Sequence, residues 1–162
     1  MSSWSGYRIA SRRSPFSYLV TDLIARAKTK SADPDGLRFA IRELTRRTFV
    51  ERQGARRGFT EERGIEILAK AADDLKARNV TISALETLNL LTRAGIYMRN
   101  RYYFTASHDL LEDYFAALVL EQEWDNDRKV DVIGCQSNPK FVEVWQFLRE
   151  IRPEVDFQNL RQ

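Results

Sequence analysis

Apolar residues recur at three- and four-residue spacing through most of the chain, the mark of helices with one buried face. The first such run is Phe16, Leu19, Val20, Leu23, Ile24 and Ala27, opened by Ser14-Pro15 as N-cap and first helical residue and closed by the polar stretch 28–35. A second begins near Pro34 with Asp33 as cap. It sets Leu37, Phe39, Ala40, Ile41, Leu44, Phe49 and Val50 on one side and Arg38, Arg42, Arg46 and Arg47 on the other. Gly54 and Gly58 then bracket a basic turn, Ala55-Arg56-Arg57. Thr60 caps a third helix, with Glu61 and Glu62 in the first turn and Ile65, Leu68, Ala69, Ala72 and Leu75 on its apolar face. Ser83 caps a fourth, built on Leu85, Leu88, Leu91 and Ala94 and stopped by Gly95.

The period then changes. Ile96-Tyr97-Met98 and Tyr102-Tyr103-Phe104 predict two short aromatic-rich strands around a turn at Arg99-Asn100-Arg101. Ser107 caps a fifth helix with Leu110, Leu111, Tyr114, Phe115, Leu118 and Val119 as its stripe. Beyond an acidic linker (Asp125, Asp127, Asp131) and Gly134, a last helix runs from about Pro139. It carries Phe141, Val144, Trp145, Leu148 and Ile151 and stops before Pro153. The fold class is mostly α, a helical subdomain plus a winged helix with one small β-hairpin. Four parts are expected: a loose N-terminal segment, 1–14; a helical subdomain, 15–57; a winged-helix-like domain, 58–124; and an acidic linker with a C-terminal helix, 125–162.

Composition narrows the classes. With 162 residues, 43% of them hydrophobic and 30% charged, the chain can bury an ordinary core without staples. A single cysteine, Cys135, excludes an internal disulfide, and with a single histidine, His108, it excludes a structural zinc site of the usual kind. No run of about 18 apolar residues spans a membrane, and the first fourteen residues have arginines but no apolar signal core. The expected location is the cytoplasm. The net charge of +3 is unevenly spread: residues 1–63 carry 14 Lys/Arg against 7 Asp/Glu, and the remainder carries 12 against 16. Such a basic half suits nucleic acid, an acidic partner, a solvated helix face or a face that docks on the acidic half.

Catalysis finds little support. None of the glycines at 6, 36, 54, 58, 64, 95 and 134 introduces a Lys-Ser/Thr pair, so an independent P-loop ATPase is not expected. Glu112 and Asp113 are neighbours on a helix and point in different directions, so they are expected on a solvated face rather than as an acid–base pair. No catalytic residue and no metal or cofactor site of the chain's own is expected. A DNA-reading winged helix is the alternative. It would use Arg99 and Arg101 of the hairpin and the basic helix 37–57, but the helix that would enter the groove, 83–94, is formally neutral. His108 lies at the first turn of the fifth helix, where unpaired backbone N–H groups and positive potential favour an anion.

The segment from His108 to Ala117 resembles the winged-helix end of the NACHT-type STAND nucleotide switches. Their line ends a winged helix with a histidine, then four residues, an acidic residue, Tyr-Phe/Leu and Ala-Ala; here it reads His108, then Asp113-Tyr114-Phe115-Ala116-Ala117. The run His108-Asp109-Leu110-Leu111-x-Asp113 also looks like the Met-His-Asp motif of immune receptors and the apoptosome scaffold, with Ser107 in place of Met. Leu91–Gly95, Phe59–Glu62 and the run Asn138 to Trp145 agree with the same pattern. Ala106 departs from it, because a phenylalanine often sits two residues before the histidine. The resemblance implies that His108 contacts the β-phosphate of ADP held by a NACHT-type ATPase domain, in cis or in trans. ADP or ATP would then bind only with that partner. It further implies a non-catalytic module that senses and relays nucleotide state in bacterial defence, antiviral defence included, or signalling.

Overall fold

The structure, a computed structural model, describes residues 15–27, 33–127, 132 and 134–155. Its elements follow the caps and periods of the sequence. Helix α1 spans Pro15–Ala27, and α2 spans Pro34–Thr45 and runs on as a π turn, Arg46–Val50. Strand β1 (Phe59–Thr60) leads into α3 (Glu61–Lys76), and α4 (Ala84–Arg93) follows. The hairpin is β2 (Tyr97–Asn100) and β3 (Tyr103–Ala106), and α5 covers Asp109–Asp125. A 3-10 turn at Pro139–Phe141 opens α6, Val142–Ile151. The segment 1–14, with the expected cap Ser14, and Asp131 of the acidic linker lie outside the described residues.

Two caps work as expected. The Asp33 carboxylate accepts from the N–H groups of Asp35 and Gly36 at 2.8 and 3.4 Å, and Thr60 Oγ1 accepts from Arg63 N at 3.2 Å. Each satisfies first-turn donors that would otherwise be orphaned. The expected cap of α5 is corrected. Its N-cap is His108, while the Ser107 hydroxyl instead donates to the Gly95 carbonyl.

The sheet has three antiparallel strands in the order β1-β3-β2, with Phe59 opposite Phe104, Thr60 opposite Tyr103, and Tyr97 opposite Ala106. The order α2-β1-α3-α4-β2-β3, with the first strand closing on the last, is winged-helix connectivity. The strand β1 joins the expected hairpin; two residues are too few to show a period. The hairpin loop is Arg101-Tyr102, so Arg99 and Asn100 belong to β2 rather than to the turn. Arg101 takes φ +60, the left-handed conformation that a two-residue hairpin loop needs.

One hydrophobic cluster runs from Ile24 of α1 to Leu148 of α6. The Phe59 ring sits 5.8 Å from Phe104 and 5.4 Å from Tyr97, tying the sheet to the core. The helix α3 comes so close that a Cβ on Gly64 would lie 2.6 Å from that ring. The buried face of α3 is Gly64, Ile67, Leu68, Ala71 and Leu75, which leaves Ala69 exposed. On α4 the buried residues are Thr87, Leu88, Leu90 and Leu91, and Leu85 falls at the edge of that face, exposed. Packed between α2 and α6, α5 buries 111–117, 119, 120 and 123, more than one stripe. Arg46, on the side of α2 opposite its apolar face, pairs with the buried Glu123 and donates to Gln122 Oε1 at 3.2 Å. Cys135 is buried, and its carbonyl accepts from Trp145 Nε1.

Candidate functional site

The start of α5 gathers His108, Glu112 and Asp113. His108 has extended backbone, φ −142 and ψ 144, and its carbonyl accepts from Leu111 N at 3.0 Å and Glu112 N at 3.3 Å. Its side chain makes no cap bond to the helix, and the residue is exposed. The imidazole therefore stands at the surface, at the positive end of a 17-residue helix.

One turn further, Glu112 and Asp113 reverse their expected exposure: both are buried, at 4% and 3%. The cause is Arg57, which arrives from the basic turn after α2. Its Nη1 lies 3.0 Å from Glu112 Oε1 and its Nη2 lies 3.0 Å from Asp113 Oδ1. The same guanidinium donates to the Asp109 carbonyl at 3.2 Å and places Nε 3.6 Å from Asp109 Oδ1. It also lies over the Phe49 ring, 5.0 Å from the centroid. Charge-assisted bonds of this forked geometry are the strong ones.

Local backbone holds Arg57 in place. Gln53 and Gly54 both have positive φ, +56 and +69, and the Gln53 carbonyl accepts from Asn138 Nδ2 at 2.7 Å. Gly58 has φ +92, and a Cβ there would sit 2.5 Å from the Phe104 carbonyl oxygen, so only glycine lets the chain enter β1 at that point. Tyr103 Oη donates to the Arg57 carbonyl at 2.9 Å.

The electrostatics follow from burial. Burial pushes the Glu112 carboxyl up from 4.5 to about 7, with Arg57 opposing the rise and Asp113 and Asp109 adding to it. Burial works against the charge of Arg57, but Asp113, Asp109 and Glu112 outweigh it and hold the guanidinium above its ordinary value. Burial, with Glu112 nearby, raises the Tyr97 phenol against a hydrogen bond with Thr45.

Arg99 and Arg101 meet at the hairpin, where Arg99 Nε donates to the Arg101 carbonyl at 2.7 Å. Arg99 is otherwise engaged within the chain, 2.8 Å from Glu61 Oε2 and over the Phe104 ring at 5.4 Å. The exposed loop Arg101-Tyr102 and His108 stand at opposite ends of β3, separated by the roughly 13 Å length of that strand and by Ser107. They do not form one site. Arg57 was the residue missed: the only sequence signal was a basic turn between two glycines and a carboxylate pair 55 residues later.

Among the described residues no group of three His, Cys, Asp or Glu side chains is placed to hold a metal, and no helix is long and apolar enough to cross a membrane. No family model, curated protein or solved structure matches the chain.

Proposed function

We propose that the chain is a non-catalytic regulatory module of a NACHT-type nucleotide switch. In this reading it packs on an ATPase domain, in cis or in trans, senses a phosphate of bound ADP through His108, and relays that state in bacterial defence or signalling.

The observation that carries the reading is how the run 108–117 divides. Leu111 to Ala117 is buried without a break, while His108 stays exposed at the N-terminus of the same helix. Packing and the Arg57 clamp account for the first block. The imidazole stands outside that core, at the exposed positive end of a long helix, and an imidazole N–H is a donor suited to a phosphate oxygen.

The test is co-purification of the tagged chain with and without ADP, followed by the rate at which the recovered complex releases a fluorescent ADP analogue. The expected partner has a glycine-rich Lys-Ser/Thr loop, and His108→Ala speeds ADP release about tenfold, or about 1.4 kcal/mol of lost contact. Unchanged release from the variant complex, or no ATPase in the complex, defeats the proposal.

A further inference from the structure

On the outer side of the loop that delivers Arg57 lies a trough of about 410 Å³, within the size range of small-ligand sites. Four arginines line it: Arg47 of the π turn, Arg52 and Arg56 of the loop, and Arg63 of the first turn of α3. Glu51 is the one carboxylate in its wall, and Thr48, Thr60 and Tyr103 complete the polar lining. We propose that this trough binds a free oligophosphate chain, either inorganic or borne by a nucleotide.

This positive charge is only partly neutralised within the chain. Arg52 and Arg56 pair with no carboxylate among the described residues. The Arg56 guanidinium lies over the Tyr103 ring, 5.0 Å from the centroid, a contact that does not consume its N–H donors. Arg47 reaches Glu43 and Glu51 only at 3.8 and 3.9 Å. Arg63 bonds Glu66 at 2.7 Å on the exposed side of α3. The Thr60 hydroxyl oxygen takes the Arg63 N–H as N-cap, and its own proton remains for a ligand oxygen. Glu61 is the first-turn carboxylate closest in sequence to Thr60, and it is paired with Arg99.

The loop is also fixed beforehand. Arg57 anchors it to α5, Asn138 holds the Gln53 carbonyl, and Tyr103 bonds the Arg57 carbonyl while presenting its ring to Arg56. Less ordering is then left for a ligand to impose. Several guanidinium groups around a bounded trough suit neighbouring phosphoryl groups better than a single carboxylate. A free chain is favoured over a nucleic-acid backbone because α4, the helix that would enter a DNA groove, has one acid, Glu86, against one base, Arg93.

Calorimetric titration of the full chain with sodium triphosphate tests this, at 50 and 200 mM salt, with a 20-base-pair duplex as a second arm. Saturable triphosphate binding is expected, weakened at least tenfold by the double variant Arg52→Ala/Arg56→Ala. Arg99→Ala/Arg101→Ala at the hairpin and His108→Ala should bind as the parent does, which separates this site from the His108 reading. Circular dichroism and the melting temperature establish that each variant is folded; both loop arginines are exposed. Absence of triphosphate binding, equal binding by the loop variant, loss through the hairpin variant, or binding of duplex without triphosphate would each overturn the proposal.

Discussion

Removing the Arg57 guanidinium should be among the most damaging single changes in the chain. The side chains of Glu112 and Asp113 are 6% and 4% exposed, and each has an Arg57 nitrogen 3.0 Å away. Arg57→Met keeps an apolar stem over Phe49 but leaves two carboxylates buried without their cation. Breaking a buried pair costs about 3–5 kcal/mol. Arg57 is itself one-third exposed, so water reaches the gap and the lower end, about 3 kcal/mol, applies. In urea, with a slope of about 2 kcal/mol/M, the midpoint should fall by about 1.5 M at pH 8. The deficit should shrink toward pH 5. Burial without the cation disfavours the charged form of a carboxyl, so the variant keeps more of its stability at low pH and loses it as the carboxyls ionise. Adding Glu112→Gln and Asp113→Asn to Arg57→Met should recover most of the loss, because no charge then stays buried. A midpoint shift below about 0.5 M at pH 8, or an equal deficit at pH 5 and pH 8, would refute the clamp as a buried ionic device.

Two further outcomes test the same region. In the parent, the Glu112 carboxyl lies at about 7 when folded against 4.5 when unfolded. Its contribution is therefore full below about pH 4.5 and falls by about 3 kcal/mol as pH rises to 7. Glu112→Gln should flatten that slope in urea titrations while matching or exceeding the parent at pH 8; an unchanged slope assigns the pH dependence elsewhere. Gly58→Ala forces a side chain into φ +92 with its Cβ 2.5 Å from the Phe104 carbonyl, at a cost of about 3 kcal/mol. Its melting temperature should drop by about 10 °C, and a drop under about 2 °C would contradict the tight entry into β1.

The helices were legible because their boundaries are local chemistry. Asp33, Thr60 and Gly95 each announce an end within one turn, and each does so in the structure. Faces were less legible. Both Ile67 and Ala69 are apolar neighbours of Leu68, and only the direction from which α2 and α4 approach α3 decides that Ile67 is buried and Ala69 exposed. The helix α5 hid its role in a similar way. An amphipathic stripe was expected, yet α2 and α6 pack against it from different sides and bury residues of both. The strand β1 was invisible because two residues have no alternation, and its existence depends on Tyr103 and Phe104 more than 40 residues away. The position of His108 at the start of α5 follows from a local boundary, and that is why its placement was readable.

The carboxylate pair shows where local reasoning fails. Consecutive residues on an α-helix are rotated by about 100°, so Glu112 and Asp113 do point apart. That geometry rules out a shared proton but not a shared cation. Arg57 comes in beside the first turn of α5, touching Asp109 as well. Glutamate has one more methylene than aspartate, and a guanidinium offers two separated nitrogens in one plane, so Nη1 and Nη2 can each reach a different carboxylate. A lysine has one nitrogen and would satisfy one of the two. The burial of two adjacent acids is thus decided by a side chain 55 residues upstream, by its being arginine, and by a glycine at 58 that lets its backbone lie against β3. None of these three conditions is visible within the helix that carries the acids.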